Sequence, residues 1–136
     1  MNSIDKIDFI VNWIKNYTKS IKKQPVSLII GVSGGVDSAL TSTLCALTGL
    51  KTIAISMPIK QNSSQHDLSL RHLDYLNENY DNVDTKVIEL DNIFKTFEST
   101  MKDFNSELAF ANSRSRLRMV TLYQVAQSNN GIVVGT

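Results

Sequence analysis

Cysteine is nearly absent. Cys45 is the only one in 136 residues, so an internal disulfide and a multi-cysteine metal site are both excluded. Proline occurs only at Pro25 and Pro58, and glycine six times. No Pro- or Gly-rich linker, repeat or low-complexity tract divides the chain, and one domain with one core is expected at this length. No apolar run approaches the roughly 18–20 residues that a membrane span requires. Met1–Lys15 mixes Asp5, Lys6, Asp8 and Asn12 among its apolar residues and lacks the apolar centre of a secretory signal peptide. An excess of one charge is missing too. Fourteen Lys and Arg face thirteen Asp and Glu, a formal net charge of +1, which demotes an electrostatic nucleic-acid binder. These absences give the expectation of a cytoplasmic protein with neither nucleic acid nor membrane as partner. What is present, 42% hydrophobic and 20% charged residues, is the composition of an ordinary globular protein rather than a disordered one.

Helical and strand-like segments alternate. Ile4, Phe9-Ile10, Trp13-Ile14 and Tyr17 recur at helical spacing and predict a first amphipathic helix ending near Ser20. Pro25 breaks the chain before Val26–Val32, a short aliphatic run that reads as a buried parallel strand. A helix is expected from Val36 or Asp37 to Thr48, with Gly49 as its C-terminal cap. Lys51–Met57 reads as a second strand, stopped by Pro58, and Ser64–Asn79 as another helix. Thr85–Leu90 reads as a third strand, and Asp91 as the N-cap of a helix carrying Ile93, Phe94 and Phe97. A long helix over about Ser106–Ser128, an Asn130-Gly131 turn and a strand over Ile132–Gly135 complete the pattern. Strands alternating with helices predict an α/β fold, a parallel sheet covered on both faces. In such sheets ligands bind beyond the carboxyl ends of the strands, where the strand order reverses.

The first strand runs into Gly31-Val32-Ser33-Gly34-Gly35-Val36-Asp37-Ser38. Adjacent glycines permit positive φ and close approach of a ligand to the backbone. Inward N–H groups and the positive end of the next helix then make an anion site suited to phosphate. Ser33 and Ser38 add hydroxyl donors. Asp37 would repel phosphate unless a cation bridges them, and Mg²⁺, which takes carboxylate, water and phosphate oxygens, fits. No Lys follows the glycines, so this is not the GxxxxGK[ST] loop, and it is not GxGxxG. A bare Gly-Gly turn is as well explained by local structure, with Asp37 and Ser38 capping the helix. The complete Ser-Gly-Gly-x-Asp-Ser string after a buried strand is far more specific. It resembles the N-type ATP pyrophosphatase (PP-loop) family, whose SGGxDS turn surrounds the β- and γ-phosphates of ATP. Members include NAD⁺, GMP, asparagine and argininosuccinate synthetases and tRNA-modifying enzymes, and the turn alone does not choose among them.

A second constellation discriminates. In Ala111–Met119, Asn112 and Arg116 are four apart and share a helical face with Leu108, Val120 and Tyr123, while Arg114 and Arg118 point nearly the opposite way. An arginine on a largely apolar face calls for an anion or several acceptors, or it snorkels or pairs with a core carboxylate. The segment resembles the NAD⁺ synthetase pattern Asn-x-x-Ala-Arg-x-Arg-Met followed by a strand ending in Gly-Thr. Asn112, Arg116, Arg118 and Met119 match, Ser115 stands for the small Ala, and Gly131–Thr136 supplies the strand. The resemblance covers essentially the whole chain. It implies an adenine nucleotide α-hydrolase-like (Rossmann-like) fold, and amidation of deamido-NAD⁺ to NAD⁺ through an acyl-adenylate, with release of AMP and pyrophosphate.

The same resemblance implies ATP contacts from Gly31–Ser38, Met57 and Thr136, Mg²⁺ on Asp37, deamido-NAD⁺ on Arg116 and Asn112, and a homodimer. No residue stands out as a general acid or base. With no glutaminase region ahead of it, ammonia is the expected nitrogen donor. Residues 1–136 are expected to be the N-terminal portion of a single synthetase domain, cut short at its C-terminal end before a second Mg²⁺-binding Glu, and inactive alone. The alternatives are another PP-loop enzyme, of the GMP synthetase or tRNA-modifying type, and a nucleotide-binding or dimerisation module without catalysis.

Weaker features carry less. Ile30–Val32 and Met57 are placed to sandwich an adenine, though core packing explains them equally well. Lys60, Gln61 and Gln65 are ambiguous candidates for polar ATP contacts, and some family members have Arg where Ser56 stands. His66 and His72 do not share a helical face and read as solvated. Cys45 reads as a small core residue, and Phe94, Phe97, Met101 and Phe104 as a packing face.

Overall fold

A central strand decides the architecture. In the computed structural model, which describes residues 1–136, the elements are α1 (Ser3–Ser20), β1 (Ser27–Gly31), α2 (Val36–Leu47), β2 (Lys51–Ser56), α3 (Ser63–Asn79), β3 (Val83–Val87), α4 (Asp91–Thr100), α5 (Glu107–Ser128) and β4 (Gly131–Val133). The strands form one parallel sheet in the order β3-β2-β1-β4. The chain therefore steps outward from β1 to β3, then returns past α4 and α5 to lay β4 on the other side of β1. That reversal makes the β1/β4 boundary the topological switch point.

Leu28–Ile30 and Ile53–Ile55 are all buried, as strands covered on both faces must be. Side chains alternate across the pleat. Ile29, Ile53 and Ile55 join Phe94, Phe110, Leu122 and Ala126 in the core under α4 and α5. Ile30 and Ala54 join Ala46, Leu73, Leu76 and Val83 under α2 and α3. Leu28 packs with Ile14, Leu44 and Cys45 beneath α1. Cys45 is fully buried and its thiol is pushed up to about 12 by burial, which suits a packing residue.

Several boundaries differ from the sequence reading. The third strand begins at Val83 rather than Thr85, because Thr52 N–H bonds the Asn82 carbonyl and sets the register Thr52↔Val83 through Ser56↔Val87. Asp91 is not the N-cap of α4. Leu90 holds that position, and the Asp91 carboxylate accepts the Lys60 N–H instead. The fourth strand is Gly131–Val133, shorter and earlier than Ile132–Gly135. In α1 the buried positions are Ile14 and Thr18, while Ile4, Phe9, Ile10, Trp13 and Tyr17 stay exposed. Trp13 and Tyr17 stack on each other at 5.2 Å between ring centres. Gly49, with φ +74 after the end of α2, takes the left-handed cap expected of it. No helix is long and apolar enough to cross a membrane.

Candidate active site

The carboxyl end of β1 opens into the glycine turn. Gly34 has φ +93, and a Cβ there would lie 2.5 Å from the Gln65 carbonyl oxygen. Only glycine fits. Gly35 is extended and is the N-cap of α2, with no side chain capping the helix. The structural alternative, a cap by Asp37 or Ser38, is therefore not what these residues do. The first N–H groups of α2 lack intrahelical acceptors and remain available to an anion. The turn is knit internally. Ser38 Oγ accepts from Ser33 N at 3.1 Å, donates to the Gly35 carbonyl at 3.2 Å and lies 3.1 Å from Ser33 Oγ. Gly35 N in turn donates to Ser33 Oγ at 3.2 Å.

Beside the turn lies a cavity of about 550 Å³. It brings together Gly31, Val32, Ser33, Ser38, Met57 and Thr136, six of the expected nucleotide contacts. Gly34, Gly35 and Val36 face a second cavity of about 430 Å³, shared with Arg71, His72 and Tyr75 of α3. Asp37 lines neither; it is exposed on the first turn of α2 and belongs to neither ion pair of the chain. It is the only carboxylate between Gly31 and Ser38. One free carboxylate beside unpaired backbone donors fits Mg²⁺ shared with a phosphate chain, since Mg²⁺ is held by one or two carboxylates plus substrate phosphates.

Asn112 and Arg116 stand elsewhere. Both are exposed, and Arg116 lines an apolar cavity of about 300 Å³ between α4 and α5 with Ile93, Phe94, Phe97 and Val120. The face they share with Leu108, Val120 and Tyr123 looks outward, those three being 73%, 65% and 61% exposed. The opposite face meets the sheet. Arg114 sits 5.6 Å over the Phe94 ring. Arg118 is half-buried, donates from Nε to the Met57 carbonyl at 3.0 Å and lines the nucleotide-sized cavity. Burial, and then the nearby charge of Arg114, push its pKa down. An anion in the cavity would oppose both by favouring the charged guanidinium.

The cavity also contains Ile59, Lys60, Gln61, Asn62, Gln65 and Ser115. Gln61 Nε2 donates to the Ser33 carbonyl at 2.9 Å, while the Lys60 ammonium turns away to Glu98 at 2.7 Å. Ile30 is excluded, since it packs under α2 and α3; Val32 and Met57 remain beside the cavity. Ser56 is buried and 3.0 Å from Ser69 Oγ, outside it. The solvated reading of the histidines fails. His72 is half-buried with Nε2 2.8 Å from Ser42 Oγ, and His66 Nδ1 is buried without a partner. Helical spacing shows which residues share a face, but not which face the sheet will take.

The chain is similar to known proteins along its length. The family model described as NAD synthase matches residues 6–136. The NH(3)-dependent NAD(+) synthetase of Mesoplasma florum is 38% identical over 135 residues, which span 96% of this chain and 52% of that protein. Among solved structures, one titled as NMN synthetase from Francisella tularensis superposes with a TM-score of 0.87 at 29% identity, covering 100% of this chain and 55% of that one. An NH3-dependent NAD synthetase from Campylobacter jejuni, in complex with nitrate ion, gives 0.86 at 28% identity, covering 100% and 57%. The chain thus spans about half the length of the relatives it matches.

Proposed function

This chain belongs to the NAD synthase family, and from that membership we propose that its protein amidates deamido-NAD⁺ to NAD⁺ with ATP and ammonia. The observation that carries the reading is the uncapped Ser-Gly-Gly-Val-Asp-Ser turn at the switch point, opening on a cavity shared by Met57, Arg118 and Thr136. Residues 1–136 act as the nucleotide-binding portion of one synthetase domain.

The chemistry needs an activated acyl group, because a carboxylate has no good leaving group. The substrate carboxylate attacks the α-phosphorus of ATP, the bond from that phosphorus to the α,β-bridging oxygen breaks, and pyrophosphate leaves. Ammonia then adds to the acyl carbon of the adenylate, the bond to AMP breaks, and the amide forms with loss of a proton to solvent. The substrate acid is already ionised at neutral pH, so no general base is required at the first step. The turn holds the departing pyrophosphate through its backbone N–H groups and the hydroxyls of Ser33 and Ser38. Val32 and Met57 flank the adenine, and Thr136 closes the same cavity. Arg118, anchored on the Met57 carbonyl, places positive charge beside the phosphates. Asp37 would hold Mg²⁺, which when bound neutralises charge on the phosphate oxygens. Alignment and charge stabilisation are the protein's contribution.

Arg116 and Asn112 receive the dinucleotide at the outer face of α5, where a second copy of the chain covers the exposed apolar residues and forms a homodimer. A second reading of the acid is favoured by the likeness to the NMN synthetase structure: the mononucleotide rather than the dinucleotide. Pyrophosphate release with ATP, ammonium and either deamido-NAD⁺, nicotinate mononucleotide or XMP tests both. Release with deamido-NAD⁺ supports the proposal, release only with the mononucleotide supports the second reading, and release only with XMP overturns both.

A further inference from the structure

The segment from Met57 to Gln61 forms a strap that lines the same cavity as the glycine turn, and it is fastened at several points. The Met57 carbonyl accepts from Arg118 Nε at 3.0 Å and the Pro58 carbonyl from Leu90 N at 3.2 Å. Lys60 has φ +49, a left-handed backbone that a lysine keeps only when the surroundings hold it. Two carboxylates do so, both from α4. Asp91 Oδ1 accepts the Lys60 N–H at 2.7 Å, and Glu98 Oε2 takes the ammonium at 2.7 Å. The following residue then reaches the opposite way, with Gln61 Nε2 on the Ser33 carbonyl at 2.9 Å. A continuous line of hydrogen bonds therefore runs from α4 through Lys60 and Gln61 to the turn. Its outer end is rigid, since Phe94 of α4 is almost wholly buried against Phe110.

We propose that Asp91 and Glu98 are positioning residues of the nucleotide site, acting through Lys60 to keep Gln61 closed over the glycine turn. Neither carboxylate lines the cavity. Both are engaged by Lys60 instead, so their effect on a nucleotide in the cavity must pass through the strap. The inference rests on the reading of the cavity as an ATP site.

Calorimetric titration of the protein with Mg-ATP tests it, alongside thermal melting. Asp91→Ala removes the acceptor and should raise the ATP dissociation constant about tenfold. Asp91→Asn keeps an oxygen acceptor for the Lys60 N–H and should restore binding to within about twofold of the parent. In a Gln61→Ala background the Asp91→Ala effect should largely vanish, because the two act in series. Glu98→Gln, a mild change on an exposed pair, is the second variant should Asp91→Ala not fold; it should weaken ATP by about threefold without lowering the melting temperature. Unchanged affinity in Asp91→Ala, or additive effects of Asp91→Ala and Gln61→Ala, overturns the inference and leaves the ATP site standing. If Asp91→Ala does not fold, unchanged affinity in Glu98→Gln overturns it. Failure of the parent protein to bind ATP at all overturns the site reading and this inference with it.

Discussion

At Gly34 and His72 the consequences of single atoms are most easily separated. Adding one methyl group at Gly34 meets the Gln65 carbonyl oxygen and a φ of +93 at once. Gly34→Ala should cost about 1–2 kcal/mol or more from backbone strain alone, and it should abolish measurable ATP binding because the turn must move. Equilibrium unfolding and calorimetry read the two effects separately. His72 bears on pH. Burial lowers its pKa, opposed in part by the nearby Ala39 carbonyl. The native state therefore holds fewer protons than the unfolded state once pH drops below the unfolded value of about 6.5. The stabilisation is complete above that value and is lost as pH falls through the lowered native pKa. A melting temperature followed from pH 7.5 to pH 5.5 should decline, and His72→Gln should flatten the decline. The glycines of the turn could be recognised from the sequence because a whole string of residue types agreed. His72 could not, because its partner Ser42 lies thirty residues earlier on another helix.

Among the elements, α5 shows what periodicity leaves open. Asn112, Arg116, Val120 and Tyr123 do share a face, as spacing requires. Apolar residues also occupy the other side, however, and the sheet took the stripe containing Phe110, Leu122 and Ala126. That choice carries Arg118 into the cavity and turns Arg116 outward. Two substitutions should therefore behave differently. Arg118→Ala removes a charge-assisted contact and should weaken ATP by about 1.5–3 kcal/mol, while Arg116→Ala should leave ATP affinity within about twofold and weaken only the acid substrate. Titrating each variant with ATP and with deamido-NAD⁺ separates them. The strands are easier to read than α5, because short β-branched segments alternating with helices leave few parallel arrangements. Their ends were not, since the start of β3 depends on a partner register around Asn82 that no local pattern contains.

In the molecule as a whole, apolar surface is unevenly covered. Ile93, Leu108, Val120 and Tyr123 are all more than half exposed on the outer side of α4 and α5, more than a few scattered residues would explain. The proposed homodimer uses this face, so Val120→Asp should shift the sedimentation coefficient from dimer toward monomer while leaving the helix content unchanged. The reversal in strand order has a further consequence, in time rather than in space. β1, β2 and β3 are near neighbours along the chain, whereas β4 joins β1 through the pair Ser27↔Gly131 only after more than a hundred intervening residues. Closing so long a loop costs more chain entropy than closing the loops between β1 and β2 or β2 and β3. β4 is also short, three residues against five in β1. Native-state hydrogen exchange should find Gly131–Val133 opening at lower free energy than Leu28–Ile30, so that the wall bearing Thr136 is the first part of the cavity to come away.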